Sequence, residues 1–217
     1  IGCLVGSEMC IRDSLHVINP LRSDYISEKL DVTGIKAIDV ACGGGLLAES
    51  LHLKGAEMTG VDISDVAIHT ATIHAEKQGL EIKYLNCEAE DLLPAEKESY
   101  DLVTCLEAIE HVPDPAKLVE TCSNLCKPGG TIVFSTINRN PKSFLFAIIG
   151  AEYILNLLPK GTHEYKKFIK PSELSSMMRD NSLEVIEVIG MSYNPITKNY
   201  WLGKDVDVNY LIHARKK

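Results

Sequence analysis

No stretch of this 217-residue chain is apolar for long enough to make a convincing transmembrane helix. It lacks a basic excess: the formal net charge is −8, which argues against a broad nucleic-acid-binding face. Its seven cysteines include no CxxC pair. Cys122 and Cys126 sit at i, i+4 on a predicted helix without a second pair, which argues against structural zinc. An odd cysteine count with no visible signal-peptide pattern suits a reducing compartment. Aromatic residues are few, at 6%, but a hydrophobic share of 45% is ample for one core. Residues 1–14, IGCLVGSEMCIRDS, lack periodicity and capping signals and read as a non-native or disordered leader. Residues 15–217 read as one domain.

What is present is an alternation of strands and helices. Pro20–Lys29 reads as a helix, Lys36–Val40 as a buried strand and Leu46–Lys54 as a helix. Glu57–Asp62 is a second strand, followed by a helix capped by Ser64 and stopped near Lys77 by Gly79. Glu81–Asn86, Tyr100–Leu106 and Thr131–Ile137 are predicted as strands three to five. A helix over Pro115–Cys126 precedes the fifth and is ended by Pro128-Gly129-Gly130. Pro171 opens a last helix, and Leu183–Ile189 and Val206–Ala214 complete the set. The pattern predicts an α/β fold with a doubly wound, mostly parallel, seven-stranded sheet and an insertion after strand five, at about 138–170. Ligands of such sheets lie beyond the carboxyl ends of the strands. Asp39, Asp62, Glu88 and Glu107 all fall there.

The segment IDVACGGGLLAES carries the glycine turn. Gly43 to Ala48 matches the dinucleotide fingerprint GxGxxG/A, and Asp62 follows at the end of the next strand. The same residues suit S-adenosylmethionine, with glycines admitting its amino-acid end and Asp62 accepting from the ribose hydroxyls. The loops decide for the second cofactor. NCEAEDLLP places an acidic loop where adenine would lie, SYDLVTCLEAIEHVPDP gives a strand and an acidic loop, and LCKPGGTIVFST turns into strand five. Together they resemble the class I, Rossmann-like methyltransferase pattern.

Five further segments are more specific: INPLRSDYI, CLEAIEHVPDP, STINRNPKSFLFAIIGAEYILNLLPKGTHEYKKFIKP, YNPITKNYWLG and DVDVNYLIHARK. From about His16 to the C-terminus the chain resembles the ubiquinone-biosynthesis O-methyltransferases, which methylate ring hydroxyls of polyprenylated phenols and catechols. The resemblance implies a cofactor site of Arg22, Asp39, Ala41, Gly43, Gly45, Asp62, Ile63, Glu88, Ala89 and Leu106. Arg22 would face the methionine carboxylate through its fork of donors. Ala41 stands where the family has a glycine, which is harmless only if φ is negative there. The family also has a further N-terminal segment that helps cover the cofactor, which is expected to be missing here or replaced by the leader.

Methyl transfer to a phenol needs alignment and removal of a proton whose pKa is about 10 by analogy with tyrosine. Glu107, Glu110 and His111 form E-x-x-E-H, which on a helical turn would share one face. From their chemistry alone they suit a divalent ion or a general base equally. The resemblance implies Mg²⁺ for all three, with His111 the alternative base. His163, in GTHEYKKF, is a second histidine near the expected substrate. In the insertion, SFLFAIIGAEYILNLLP is apolar on nearly all sides and flanked by Lys142, Lys160, Lys166, Lys167 and Lys170. It suits an anionic membrane surface or a lid for a prenyl tail, or else a buried helix. The resemblance places the protein peripherally on the inner membrane, on its cytoplasmic face in a bacterium or matrix side in a mitochondrion, and allows a ubiquinone-biosynthesis complex. Two other readings stay open: a methyltransferase for a soluble phenol, and a non-enzymatic lipid-binding relative.

Overall fold

The computed structural model describes residues 17–143, 165–194, 197 and 199–217. Helix α1 covers residues 17–29. Then follow β1 (Lys36–Val40), α2 (Leu46–Leu53), β2 (Glu57–Asp62), α3 (Asp65–Gln78), β3 (Lys83–Asn86), α4 (Leu93–Glu96) and β4 (Tyr100–Leu106). The second half is α5 (Pro115–Leu125), β5 (Cys126–Ile137), the single turn α6 (Pro141–Ser143), α7 (Pro171–Asp180), β6 (Leu183–Asn194), β7 (Asn199–Gly203) and β8 (Asn209–Lys216). The expected leader, the apolar run from Phe144 and His163 lie outside the described residues.

Among the described residues the sheet has eight strands, in the order β3-β2-β1-β4-β5-β8-β6-β7. The first five are parallel; β8 runs antiparallel to β5, β6 antiparallel to β8 and β7 antiparallel to β6. Seven strands were expected, and the eighth is β7, within YNPITKNYWLG. Its register pairs Tyr193 with Tyr200, whose rings stack at 4.4 Å. Such a cross-strand aromatic pair stabilises a short edge hairpin.

The helix signals act as expected. Ser64 accepts from the Ala67 amide at 3.3 Å, and Gly79 ends α3 in the left-handed region at φ 68°. Asp114 caps α5 through the Lys117 amide at 3.1 Å, with Pro115 first in the helix. One boundary differs. Helix α5 stops at Leu125, and Cys126 already pairs with Tyr100. Pro128-Gly129-Gly130 therefore forms an irregularity inside β5 rather than a stop after the helix, because proline leaves no amide for the ladder and Gly129 adopts φ 79°. Cys122 and Cys126 are both buried among apolar neighbours.

Two apolar clusters sandwich the sheet. One lies between the sheet and α5 and α7, with Phe134, Val119, Leu125 and Met178 fully buried. The other holds α1 and α2 through Tyr25, Ile26, Leu47 and Leu51. Helix α1 is further tied to α2 by Asn19, whose Nδ2 donates to the Leu46 carbonyl at 2.9 Å and to Ser50 Oγ at 2.7 Å. These layers hold both α1 and the start of β8 at the carboxyl end of the parallel strands.

Candidate active site

Strand β1 ends in a turn built from left-handed residues: Ala41 at φ 58°, Gly43 at 53° and Gly45 at 82°. A Cβ at Gly45 would run into the Tyr84 ring and press on the Ala71 methyl, and it would be strained at this φ. Gly43 and Gly44 face open space, with nothing within 4 Å of an added Cβ. The turn thus packs tightly on its protein side and presents bare backbone on the other, as a close ligand requires.

Asp62, at the end of β2, orders this turn. Its Oδ2 accepts from the Gly43 amide at 2.9 Å and its Oδ1 from the Ser64 amide at 2.9 Å. Each carboxylate oxygen has two lone pairs, so both keep capacity for a diol. Two adjoining clefts meet at Ala41. One runs past Asp62, Ile63, Glu88 and Ala89; the other past Arg22, Asp39, Leu106 and Glu107. Ile63 is 77% exposed, an apolar side chain open in a cleft, which suits the face of a base. Of the expected cofactor residues, Arg22, Asp39, Ala41, Gly43, Asp62, Ile63, Glu88, Ala89 and Leu106 all line these clefts, and Gly45 supports the turn from behind.

The cleft past Arg22 is dominated by acids around one guanidinium. Asp39 is 4% exposed and accepts from Thr104 Oγ1 at 2.7 Å, across the β1–β4 pairing. Burial raises its pKa from 3.8 to about 7, against the opposing pull of Thr104 and Arg22. Arg22 is 7% exposed; its Nη2 donates to Glu107 Oε1 at 2.5 Å, and its Nε is buried without a partner among the described residues. Ser135 Oγ donates to the same Oε1 at 2.8 Å, and Asn209 Nδ2 lies 3.0 and 3.1 Å from the two Glu107 oxygens.

The E-x-x-E-H segment does not form the expected helical turn. Glu107 has φ 55°, and the residues after it form irregular turns. A left-handed residue breaks the i, i+3, i+4 face at its first member. Glu107 therefore faces Arg22 and Asn209. Glu110 is 3% exposed and held by Thr136 Oγ1 at 2.8 Å, with burial and the Glu107 charge raising its pKa to about 8. His111 is exposed. Among the described residues no group of three His, Cys, Asp or Glu could hold a metal ion, so the three expected Mg²⁺ ligands do not fit a cation as arranged. Ser135, Thr136, Asn19 and Asn209 belong to the site but were not singled out by sequence. Asn209 lay inside the quoted DVDVNYLIHARK, yet only the antiparallel placement of β8 beside β5 brings it to Glu107.

A family model described as "Methyltransferase domain" matches residues 38–134. Over 203 residues the chain is 57% identical to a protein of Marinobacter nauticus named ubiquinone biosynthesis O-methyltransferase, covering 93% of this chain and 85% of that one. A protein of the same name from Saccharophagus degradans is 54% identical over 93% of this chain and 86% of its own. Among solved structures, magnesium protoporphyrin IX methyltransferase from Synechocystis, with bound S-adenosylhomocysteine, superposes with a TM-score of 0.69 at 17% identity, over 95% of this chain and 85% of that one. A SAM-dependent methyltransferase from Methanosarcina mazei gives 0.66 at 22%, over 88% and 96%. These two likenesses show the class I methyltransferase fold.

Two outcomes follow from this geometry. Alanine at φ 58° carries strain that glycine lacks, so Ala41→Gly should stabilise the protein by about 1 kcal/mol in chemical denaturation and leave cofactor binding no weaker. Asp39 has a folded pKa above its ordinary 3.8, so the folded state holds its proton longer than the unfolded chain. Its contribution to stability is complete below about pH 4 and is lost as pH rises through about 7. Denaturation midpoints measured from pH 4.5 to 8 (~0.5-unit steps) should fall less steeply for Asp39→Asn than for the parent. Equal slopes would remove Asp39 from the account.

Proposed function

The chain belongs to the ubiquinone biosynthesis O-methyltransferase family, and from that we propose how its residues perform S-adenosylmethionine-dependent O-methylation of a ring hydroxyl on a polyprenylated phenol or catechol. The observation that carries the reading is the pair of clefts meeting at Ala41, with Asp62 on one side and Arg22 and Glu107 on the other. When bound, the cofactor supplies a methyl group already activated by a sulfonium.

The protein's part is alignment and proton management. Asp62 accepts from the ribose hydroxyls, and Ile63, Glu88 and Ala89 border the base. The bare backbone of Gly43 and Gly44 admits the amino-acid end, where Arg22 offers donors to its carboxylate and Asp39 offers a carboxyl to its cationic groups. Glu107, at the mouth of that cleft, accepts the proton of the attacking hydroxyl; His111 is the alternative base. Glu110 supports this turn from within, against Thr136. No step is assigned to Mg²⁺, since Glu107, Glu110 and His111 occupy three different environments.

No helix among the described residues is long and apolar enough to cross a membrane. We place the protein peripherally on an inner membrane, on the cytoplasmic face in a bacterium or the matrix side in a mitochondrion, with the insertion at about 138–170 meeting anionic lipid and admitting the prenyl tail. The sequence supports this: the apolar residues Phe144, Leu145, Phe146, Ile148 and Ile149 are flanked along the chain by Lys142, Lys160, Lys166, Lys167 and Lys170. Of these lysines, Lys166, Lys167 and Lys170 are exposed. Each lysine near an anionic surface contributes about 1 kcal/mol.

Titration calorimetry with S-adenosylhomocysteine should show Asp62→Ala weakening binding by about 1.5–3 kcal/mol, the scale of hydrogen bonds to a charged acceptor. Unchanged affinity in a folded variant removes Asp62 from the site, and selective NADH binding by the parent overturns the cofactor. The membrane reading expects flotation with anionic liposomes that weakens with salt. It also expects Phe144→Ser with Phe146→Ser to lower flotation and turnover of a long-tailed substrate while sparing a short-tailed one. A folded double variant that treats both substrates alike would exclude the insertion as the tail's route.

A further inference from the structure

We infer that Asn209 is a positioning residue for the methyl-transfer reaction, acting through Glu107; the inference rests on the place given to Glu107 above. Arg22 and Ser135 both donate to Glu107 Oε1, while the Asn209 amide spans the two oxygens and also reaches Oε2. The amide orientation is fixed by chemistry, since its carbonyl turned toward a carboxylate would oppose two acceptors. Glu107 lines the cleft and Asn209 does not, so Asn209 acts behind the carboxylate rather than on the reacting atoms.

Three features argue that this contact serves the reaction rather than the fold. First, Asn209 Oδ1 is buried with no partner among the described residues, an arrangement that lowers stability. Second, Glu107 is held at φ 55° at the end of β4, a sparsely populated conformation that persists only where the surroundings over-determine it. Its amide is correspondingly pinned, donating to the Ser135 carbonyl at 3.0 Å and lying 3.2 Å from Ser135 Oγ. Third, Arg22 has two claims on it in the proposed reaction. When its guanidinium serves the cofactor's carboxylate, Ser135 and Asn209 remain as neutral donors that keep the Glu107 carboxylate in register. Neither moves with the ligand: Ser135 is fully buried in β5, and Asn209 is paired in register with Ile137 on one side and Met191 on the other. A misplaced proton acceptor costs rate without costing affinity.

The test is a double-mutant cycle in the full-length protein, with S-adenosylmethionine and a catechol carrying one prenyl unit. Asn209→Leu should lower kcat about 10- to 100-fold, the scale of a hydrogen bond to a charged group, with S-adenosylhomocysteine affinity and Tm held. Glu107→Gln should lower kcat at least as far. In the Glu107→Gln background Asn209→Leu should change kcat by no more than about twofold, because residues acting as one unit are not additive. Asn209→Ala, which also removes the donor without adding charge, repeats the comparison if the leucine variant fails to fold. A multiplicative loss in the double variant, or parent-level kcat in a folded Asn209→Leu or Asn209→Ala, overturns the inference and leaves the role of Glu107 standing. Parent-level kcat in Glu107→Gln overturns that role, and this inference with it.

Discussion

The candidate active site hangs on one carboxylate. Glu107 follows β4, yet its oxygens are bonded by Arg22 from α1, Ser135 from β5 and Asn209 from β8. Four elements, separated by up to 187 positions between Arg22 and Asn209, are brought to one point. Each arrives there for its own reason. Helix α1 is anchored by Asn19 and by the apolar cluster under Tyr25 and Ile26. Ser135 is set by the parallel β4–β5 register, where it pairs with Leu106, and Asn209 by the antiparallel β5–β8 register, where it pairs with Ile137. The sheet thus positions the donors, and the carboxylate gathers them.

The electrostatics follow from how little positive charge is placed among these acids. Asp39 and Glu110 are nearly buried and Glu107 partly so, while the cleft presents Arg22 as the cation facing them. Burial pushes Asp39 up to about 7 and Glu110 up to about 8. A site left in this condition favours protons or a bound cation. S-adenosylmethionine carries positive charge on its sulfonium and amino group, so in the proposed placement its binding and the ionisation of Asp39 would favour one another. The overall charge of −8 fits the same picture: the acids are spread over the chain, but the ones that matter are those the sheet withdraws from water.

Most of the fold was legible because its signals are local. Ser64 and Gly79 bracket α3, Pro115 opens α5, and the buried run Lys36–Val40 is followed at once by its glycine turn. The residues lining the two clefts were legible for the same reason, since Asp62 and the glycines sit at strand ends that periodicity locates. What was missed is non-local or conformational. Strand β7 was hidden because its residues, NYWLG, are short and flanked by turn formers, and only the pairing of Tyr193 with Tyr200 makes it a strand. The E-x-x-E-H turn was read with helical spacing, and nothing in the letters announces a glutamate at φ 55°. Asn209 could be noticed as part of an unusual motif, but its partner lies 102 residues away.

The two left-handed non-glycine residues of the site, Ala41 and Glu107, follow neighbouring strands, β1 and β4. These strands are the point where the sheet order turns from β3-β2-β1 to β4-β5. Chains leaving them diverge to opposite faces, which opens the crevice in which ligands of such sheets lie. To line that crevice, each chain must reverse sharply at once, and the left-handed conformation does this within a single residue. Glycine would do so with least strain, but it would bring no side chain. At Glu107 the side chain is the point, so the strain is accepted and the conformation is held by Ser135 and Asn209. At Ala41 the side chain is an exposed methyl that brings no hydrogen-bonding group to the site, so it does not hold the turn as the Glu107 carboxylate does. The same backbone solution therefore serves two different ends: at β4 it aims a carboxylate, and at β1 it only turns the chain.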